Sequence, residues 1–434
     1  MKFTWDNNVD ISSPDIPEST DEIQFHDEFN RPLGENVLPN KLKYIKFGHY
    51  FNQPIGQCIL PNSLRFIKFG WRFNQPIGEN VLPNSLKYIK FGWRFDQPIG
   101  ENVLPNSLKY IKFGSNFNQS ITPGIFPDNM KSIKFGRNFN QPIGENVLPR
   151  TLKHISFGYT FNQPIGENVF PEFTKKIVFG YNFNQLIRPH ILPKFLKIVI
   201  FKGCANQAMG YEVLPKHLES VEFGYNFNHP INPGDLPNSL KTIVFGHDFN
   251  QKIGEKVLPD SLEYIEFGRD FNQEICPNVL PNRLETIKFG YNFNQPIGEN
   301  ILPDSLKHIE YGWCYTRQLP SLRHLIHLES IYILSREAID IDIEYLPPSL
   351  NYLNIYNATM LISLNDISQQ MWFSVIYGCG ASMLDITFPI LCYSLFRAGE
   401  YEVIGTEIIN GEMYSKLINP KFYCPRSNVK SARK

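Results

Sequence analysis

FNQPIGENVLPNSLKYIKFGWR, residues 73–94, runs directly into FDQPIGENVLPNSLKYIKFGSN, residues 95–116. Two nearly identical neighbours of 22 residues mark an internal repeat, and a repeat overrides any reading of the chain as ordinary domains with separate cores. Starting a copy at each equivalent phenylalanine gives thirteen gapless copies from residue 29 to residue 314. The register persists in weaker form at Pro17, Ile23 and Phe25 upstream, and downstream at Leu328, Ile331 and Ile333, then at Pro347, Leu350, Leu353 and Ile355. The expected organisation is an N-terminal cap with one degenerate repeat over 1–28, the thirteen repeats over 29–314, degenerate repeats over 315–380, and a C-terminal cap with a basic tail over 381–434. Caps are required because the end faces of a stacked array would otherwise expose core.

Within the copy at 73–94, Pro76 and Pro83 flank six residues that include Gly78, so no helix of ordinary length forms there. Leu86 to Phe91 alternates apolar and polar from Ile89 onward and is rich in aromatic and β-branched residues, which predicts a short strand. The proline half is then extended or polyproline-like backbone and turns. Leu86, Ile89 and Phe91 face inward, and Tyr88 and Lys90 face out. One copy buries too little to fold alone; strands one period apart pair as a parallel sheet, and the phenylalanines stack in columns. Phenylalanine opens every copy except the one at Ala205, and the strand phenylalanine is replaced only by Tyr311.

The residue after the opening phenylalanine is a short amide or acid throughout. A ladder is expected at Asn52, Asn74, Asp96, Asn118, Asn140, Asn162, Asn184, Asn228, Asn250, Asn272 and Asn294, each side chain bonding to the backbone of an adjacent coil.

The string Leu-x-x-Ile-x-Phe-Gly-x-x-Phe-Asn-x-Pro-Ile resembles the FNIP repeat family, found mostly in social amoebae and in giant DNA viruses that infect amoebae. It is also similar to a leucine-rich repeat, whose strand reads L-x-x-L-x-L-x-x-N, as at Leu108, Ile111, Phe113 and Asn116. Other copies carry Tyr50, Arg72, Arg94, Thr160, Cys204 or Cys314 in that asparagine slot, which leaves the FN asparagine as the candidate ladder. The resemblance implies a right-handed, leucine-rich-repeat-like solenoid with one long parallel sheet on its concave side, little helix, and a role in binding other proteins. Some relatives carry an N-terminal F-box and resemble substrate adaptors of ubiquitin ligases; residues 1–28 are too short for one.

With the core fixed, information resides in outward positions. The first outward column reads Tyr44, Phe66, Tyr88, Tyr110, Ser132 and His154 and continues to His308; the second reads Lys46, Lys68, Lys90, Lys112 and Lys134 and ends at Glu310. Formal net charge is zero, which hides a face that runs from aromatic and basic, through apolar, to mostly acidic. Lysines one strand apart, about 4.8 Å, repel by somewhat under ~1 kcal/mol per neighbour in water. A third column, just past the strand glycine, holds Trp71 and Trp93. Lys68, Trp71, Tyr88, Lys90, Trp93, Tyr110 and Lys112 are the expected contact residues for a protein partner, an acidic one.

No H-E-x-x-H, G-x-S-x-G or phosphate loop occurs, and the cysteines lack metal-ligand spacing, so no catalytic residue, cofactor or metal is expected. Asp340, Asp342 and Glu344 alternate on one strand and read as a solvated face. Seven scattered cysteines without a C-x-x-C pair suit reduced thiols in a cytoplasmic setting, within the host if the chain is viral. No secretory signal is visible, and the apolar stretch 371–396, broken by Gly, Pro and Asp385, reads as a buried end-cap and not a membrane span. Nucleic acid is disfavoured by the neutral balance. The competing expectations are a self-assembling structural element and a ubiquitin-ligase adaptor.

Overall fold

The computed structural model describes residues 1–335 apart from 7 and 12–14, residues 345–353, and the backbone of strands at 340–342, 354–356, 361–363, 372–379, 382–389, 402–409 and 412–418. No α-helix occurs among the described residues. The chain divides into two units, Met1–Asp248 and Phe249–Lys434.

In the first unit, twelve strands from Lys2–Trp5 to Thr242–Val244 pair in chain order as one parallel sheet. Successive strands lie in register at the sequence period, so that Tyr88 pairs with Tyr110, Ile89 with Ile111 and Lys90 with Lys112. Each repeat strand has three residues, the middle one buried and its neighbours half-buried or exposed. In-register repetition forces like side chains onto one another, and the sequence uses this. The rings of Phe69, Phe91 and Phe113 stack at 5.6 and 5.9 Å, and those of Phe73, Phe95 and Phe117 at 6.1 Å each. The two columns also touch, Phe91 lying 3.9 Å from Phe95.

The remaining residues of a coil are turns held by few bonds. The second proline opens one turn, its carbonyl accepting from the Leu86 N–H (Pro83, 3.0 Å). The strand glycine opens another, with Gly70 O accepting from Phe73 N at 3.3 Å. Glycine is required there by proximity: a Cβ on Gly92 would lie 1.6 Å from the Gly70 carbonyl oxygen. Between the prolines the backbone reverses at Asn80, with φ of 59°, a left-handed conformation that asparagine tolerates.

The junction of two copies, at 202–209, departs from the pattern. Lys202 stands in the glycine slot, Gly203 takes φ of 62°, and Ala205 interrupts the ring column. Ala208 and Met209 replace the usual Pro-Ile, and the flexible thioether of Met209 helps leave only about 10 Å³ of open space beside Phe183, Ile187 and Phe201.

The second unit continues the same construction. Strands Tyr264–Glu266, Thr286–Lys288, His308–Tyr311, Ser330–Ile333 and Tyr352–Tyr356 are parallel neighbours, joined by Trp372–Cys379. Ser382–Pro389 then adds antiparallel to Trp372–Cys379. Two small sheets pair Asp340–Asp342 with Leu361–Ser363 and Glu402–Ile409 with Glu412–Ile418. The carboxylates of Asp340 and Asp342, Glu344, and the basic tail at 426–434 lie outside the described residues, as do the side chains of the 371–396 stretch. No helix among the described residues is long and apolar enough to cross a membrane.

Candidate functional site

The ladder side chains lie at the start of each extended segment. Asn52 Oδ1 accepts from Asn74 N at 2.8 Å, Asn74 Oδ1 from Asp96 N at 2.9 Å, and Asp96 Oδ1 from Asn118 N at 2.8 Å. The series runs on through Asn118, Asn140, Asn162 and Asn184 to Asn206 and Asn228 in the first unit, and through Asn250, Asn272 and Asn294 in the second. Each bond satisfies a backbone N–H that no strand partner reaches. The next residue adds a second rung that sequence reasoning passed over. Gln75 Nε2 donates to Asn52 O at 3.1 Å, and Gln119 Nε2 to Asp96 Oδ1 at 2.9 Å. Its only sequence signal is the recurrence of glutamine at that position. The ladder is therefore occupied by the fold and offers a ligand little.

The outward face of the sheet is different. Tyr44, Phe66 and Tyr88 stack at 5.8 and 4.3 Å, and Tyr110, on the next strand, is 44% exposed. Burial, with the Glu22 charge second, raises the Tyr44 hydroxyl above its ordinary range, and burial does the same at Tyr88. Two residues along each strand lie Lys46, Lys68, Lys90, Lys112 and Lys134. Among the described residues none of these five has a carboxylate within salt-bridge distance. Lysines elsewhere do: Lys197 meets Glu219 at 2.6 Å and Lys43 meets Asp21 at 3.2 Å. Partial burial lowers the Lys90 ammonium below its ordinary range, and repulsion from Lys112, Lys68 and Lys134 lowers it further. Lys112 is lowered in the same way, by burial first and then by Lys134 and Lys68. The column is an electrostatic cost that packing imposes and no internal partner offsets.

Three residues past Lys90, the Trp93 indole stacks on Trp71 at 4.5 Å and 6°, and Trp71 on His49 at 5.5 Å. Trp71 and Trp93 are 42% and 39% exposed. Their faces are taken by one another and their edges meet solvent. The Arg72 guanidinium lies 4.3 Å over the Tyr50 ring.

The second unit's face is internally matched. Lys288 pairs with Glu310 at 3.3 Å, and His308 Nδ1 lies 2.7 Å from Ser330 Oγ, in a groove of about 500 Å³ flanked by Tyr332 and Tyr352. Alternation of sign along that face removes the strain that the lysine column carries.

Coil, parallel in-register sheet and asparagine rungs define a leucine-rich-repeat-like solenoid. The FNIP Repeat pattern matches residues 8–50, 51–92, 73–116, 117–160, 161–204, 227–270 and 271–314, well over half the chain. The chain belongs to the FNIP repeat family. The unmatched stretch, 205–226, is the copy that opens on Ala205. The chain is similar to CroV588, a giant-virus protein whose crystal structure is described as a novel circular leucine-rich-repeat protein, at 40% identity and a TM-score of 0.72. That match covers 84% of this chain, which spans 60% of the length of CroV588. YopM from Yersinia enterocolitica (16% identity, TM-score 0.44, 83% of this chain and 84% of that one) is also similar. So is a chain of the Drosophila Toll–Spatzle complex (14% identity, TM-score 0.48, 80% and 48%). Curated proteins yielded no match.

Proposed function

We propose that the chain is a non-enzymatic scaffold that binds a partner protein on the outward sheet face of its first unit, with Lys68, Lys90 and Lys112 beside Tyr88 and Tyr110 as the principal contacts. The observation that carries this is the column of five lysines without a carboxylate in salt-bridge reach, of which Lys90 and Lys112 at its centre are partly desolvated. A fold that keeps such a cost on its surface gains most from a partner that supplies carboxylates, because a desolvated, unpaired cation is the group whose pairing changes free energy most. The aromatic column provides the apolar area that interface hot spots use. Trp71 and Trp93 extend the contact at its rim.

An intracellular, reducing location suits the free thiols of Cys58, Cys204, Cys276 and Cys314 and the giant-virus source of a similar protein. The test is capture from host lysate with the wild-type chain and with a variant altered at Trp71, Trp93, Lys90 and Lys112 together. The expected result is loss of the captured protein with a thermal midpoint no lower than that of the wild type; equal capture by both chains overturns the assignment.

A further inference from the structure

The geometry points to an α-helix as the occupant of the lysine column, laid across the strands along the stacking direction, with carboxylates presented once per turn and apolar residues on the adjoining aromatic column. This rests on the protein-binding reading above and adds the form of the ligand.

The argument is one of periods. Parallel neighbours are about 4.8 Å apart, so the five lysines span four intervals, about 19 Å. Acidic side chains alternating at three and four residues along a helix recur on average every ~5.3 Å, about 21 Å over four steps. The accumulated mismatch of about 2 Å is within the reach of flexible lysine stems. Same-face residues of an extended strand recur every ~6.7 Å, about 27 Å over four steps, and the mismatch of about 8 Å puts the end carboxylates beyond the end lysines.

The second column favours the same shape. On four of the five strands an aromatic residue lies two positions from the lysine, about 6.7 Å across the face. A helix carries an apolar stripe beside an acidic one and lays both down together. An acidic coil without an apolar stripe leaves the Phe66 and Tyr110 rings, 39% and 44% exposed, uncovered.

The strip is also finite. Gln24 precedes Lys46 and Ser156 follows Lys134 in the column, and beyond them it turns apolar at Val178 and Ile200. Five carboxylates at that spacing make the acidic part of the helix about 15 residues, ~21 Å at 1.5 Å per residue, with an apolar continuation on the Val178 side.

The experiment uses the full chain and three synthetic peptides of one length. The first is a helix-locked peptide with glutamate at alternating three- and four-residue spacing beside a leucine stripe. The second has the same residues with the stripes scrambled, and the third has the first order broken by a central proline. Fluorescence anisotropy reads binding. The expected result is tightest binding by the first peptide, by at least about tenfold over the other two. That binding is lost in a Lys90→Glu/Lys112→Glu chain whose thermal midpoint is no lower than that of the wild type, and it weakens with salt. Equal binding by all three peptides overturns the helix while leaving the acidic-partner reading standing. Failure of all three to bind, with lysate capture still sensitive to Lys90 and Lys112, overturns the helix in the same way; insensitivity of both overturns the two readings together. A single-stranded oligonucleotide that binds more tightly than the first peptide assigns the strip to nucleic acid and overturns the proposal.

Discussion

Replacing Phe95 by alanine removes one ring from the interior column. Phe95 is fully buried, lies 6.1 Å from Phe73 on one side and from Phe117 on the other, and packs 3.9 Å from Phe91. Deletion of a buried phenyl ring costs about 3 to 5 kcal/mol through lost transfer energy and the cavity left behind. The upper half of that range is expected, because rings in register above and below cannot collapse into the gap without dragging their strands. Ala205 shows what accommodation takes: there the glycine slot, the Pro-Ile pair and the ring all change together. Urea unfolding of Phe95→Ala should therefore show a loss of about 4 kcal/mol at an unchanged slope. Amide exchange should lose protection first at Tyr88–Lys90 and Tyr110–Lys112, since in a solenoid each coil leans only on its neighbours. A loss below about 1 kcal/mol would refute the ring column as the principal support of the stack.

Asn74→Ala strips the acceptor from Asp96 N and Gln97 Nε2, and should cost about 1 to 3 kcal/mol by chemical denaturation, whereas Asp96→Asn, which keeps an acceptor oxygen in place, should stay within about 0.5 kcal/mol. Ala205→Phe alone should destabilise by about 1 to 3 kcal/mol, since only about 10 Å³ is open there, and adding Met209→Ile should recover part of the loss. Stacked indoles at 4.5 Å should give an exciton couplet in the ultraviolet circular dichroism spectrum that disappears in Trp93→Ala while the unfolding midpoint holds. The lysine column sets a pH dependence whose sign follows from its direction. Folded-state pKa values of Lys90 and Lys112 lie below the ordinary 10.5, so the unfolded chain binds more protons between the two values and stability rises with pH across that window. Lys90→Met/Lys112→Met should thus be more stable than wild type at neutral pH, and the difference should shrink as pH approaches 10.5; a difference that grows contradicts the assignment.

The sequence made the coil legible because repetition turns a three-dimensional packing rule into a one-dimensional pattern. Phe91 and Phe95 recur since only a flat ring stacks at the sheet period, and Gly92 recurs since nothing larger clears the Gly70 carbonyl. Lys2–Trp5 carries none of the repeat's punctuation and was hidden within the cap. Asn80 and Gln75 were visible as recurring letters but silent as to role. A positive φ and a bond to the preceding coil are properties of the closed turn, which periodicity does not encode. The outward columns could be written down from sequence in order, yet whether the lysines met carboxylates depended on which side chains the coil brings near them. Lys288 and Lys90 hold the same repeat position and differ in having Glu310 opposite one and Lys112 opposite the other.

The central claim is that Lys90 and Lys112 are cations crowded together on a partly dry face. Titration of assigned lysine ammonium groups by heteronuclear NMR reads this directly. The account predicts that both titrate below the remaining lysines and shift upward when Lys68 and Lys134 are replaced by methionine. Ordinary lysine values for both, unmoved by those substitutions, would contradict it.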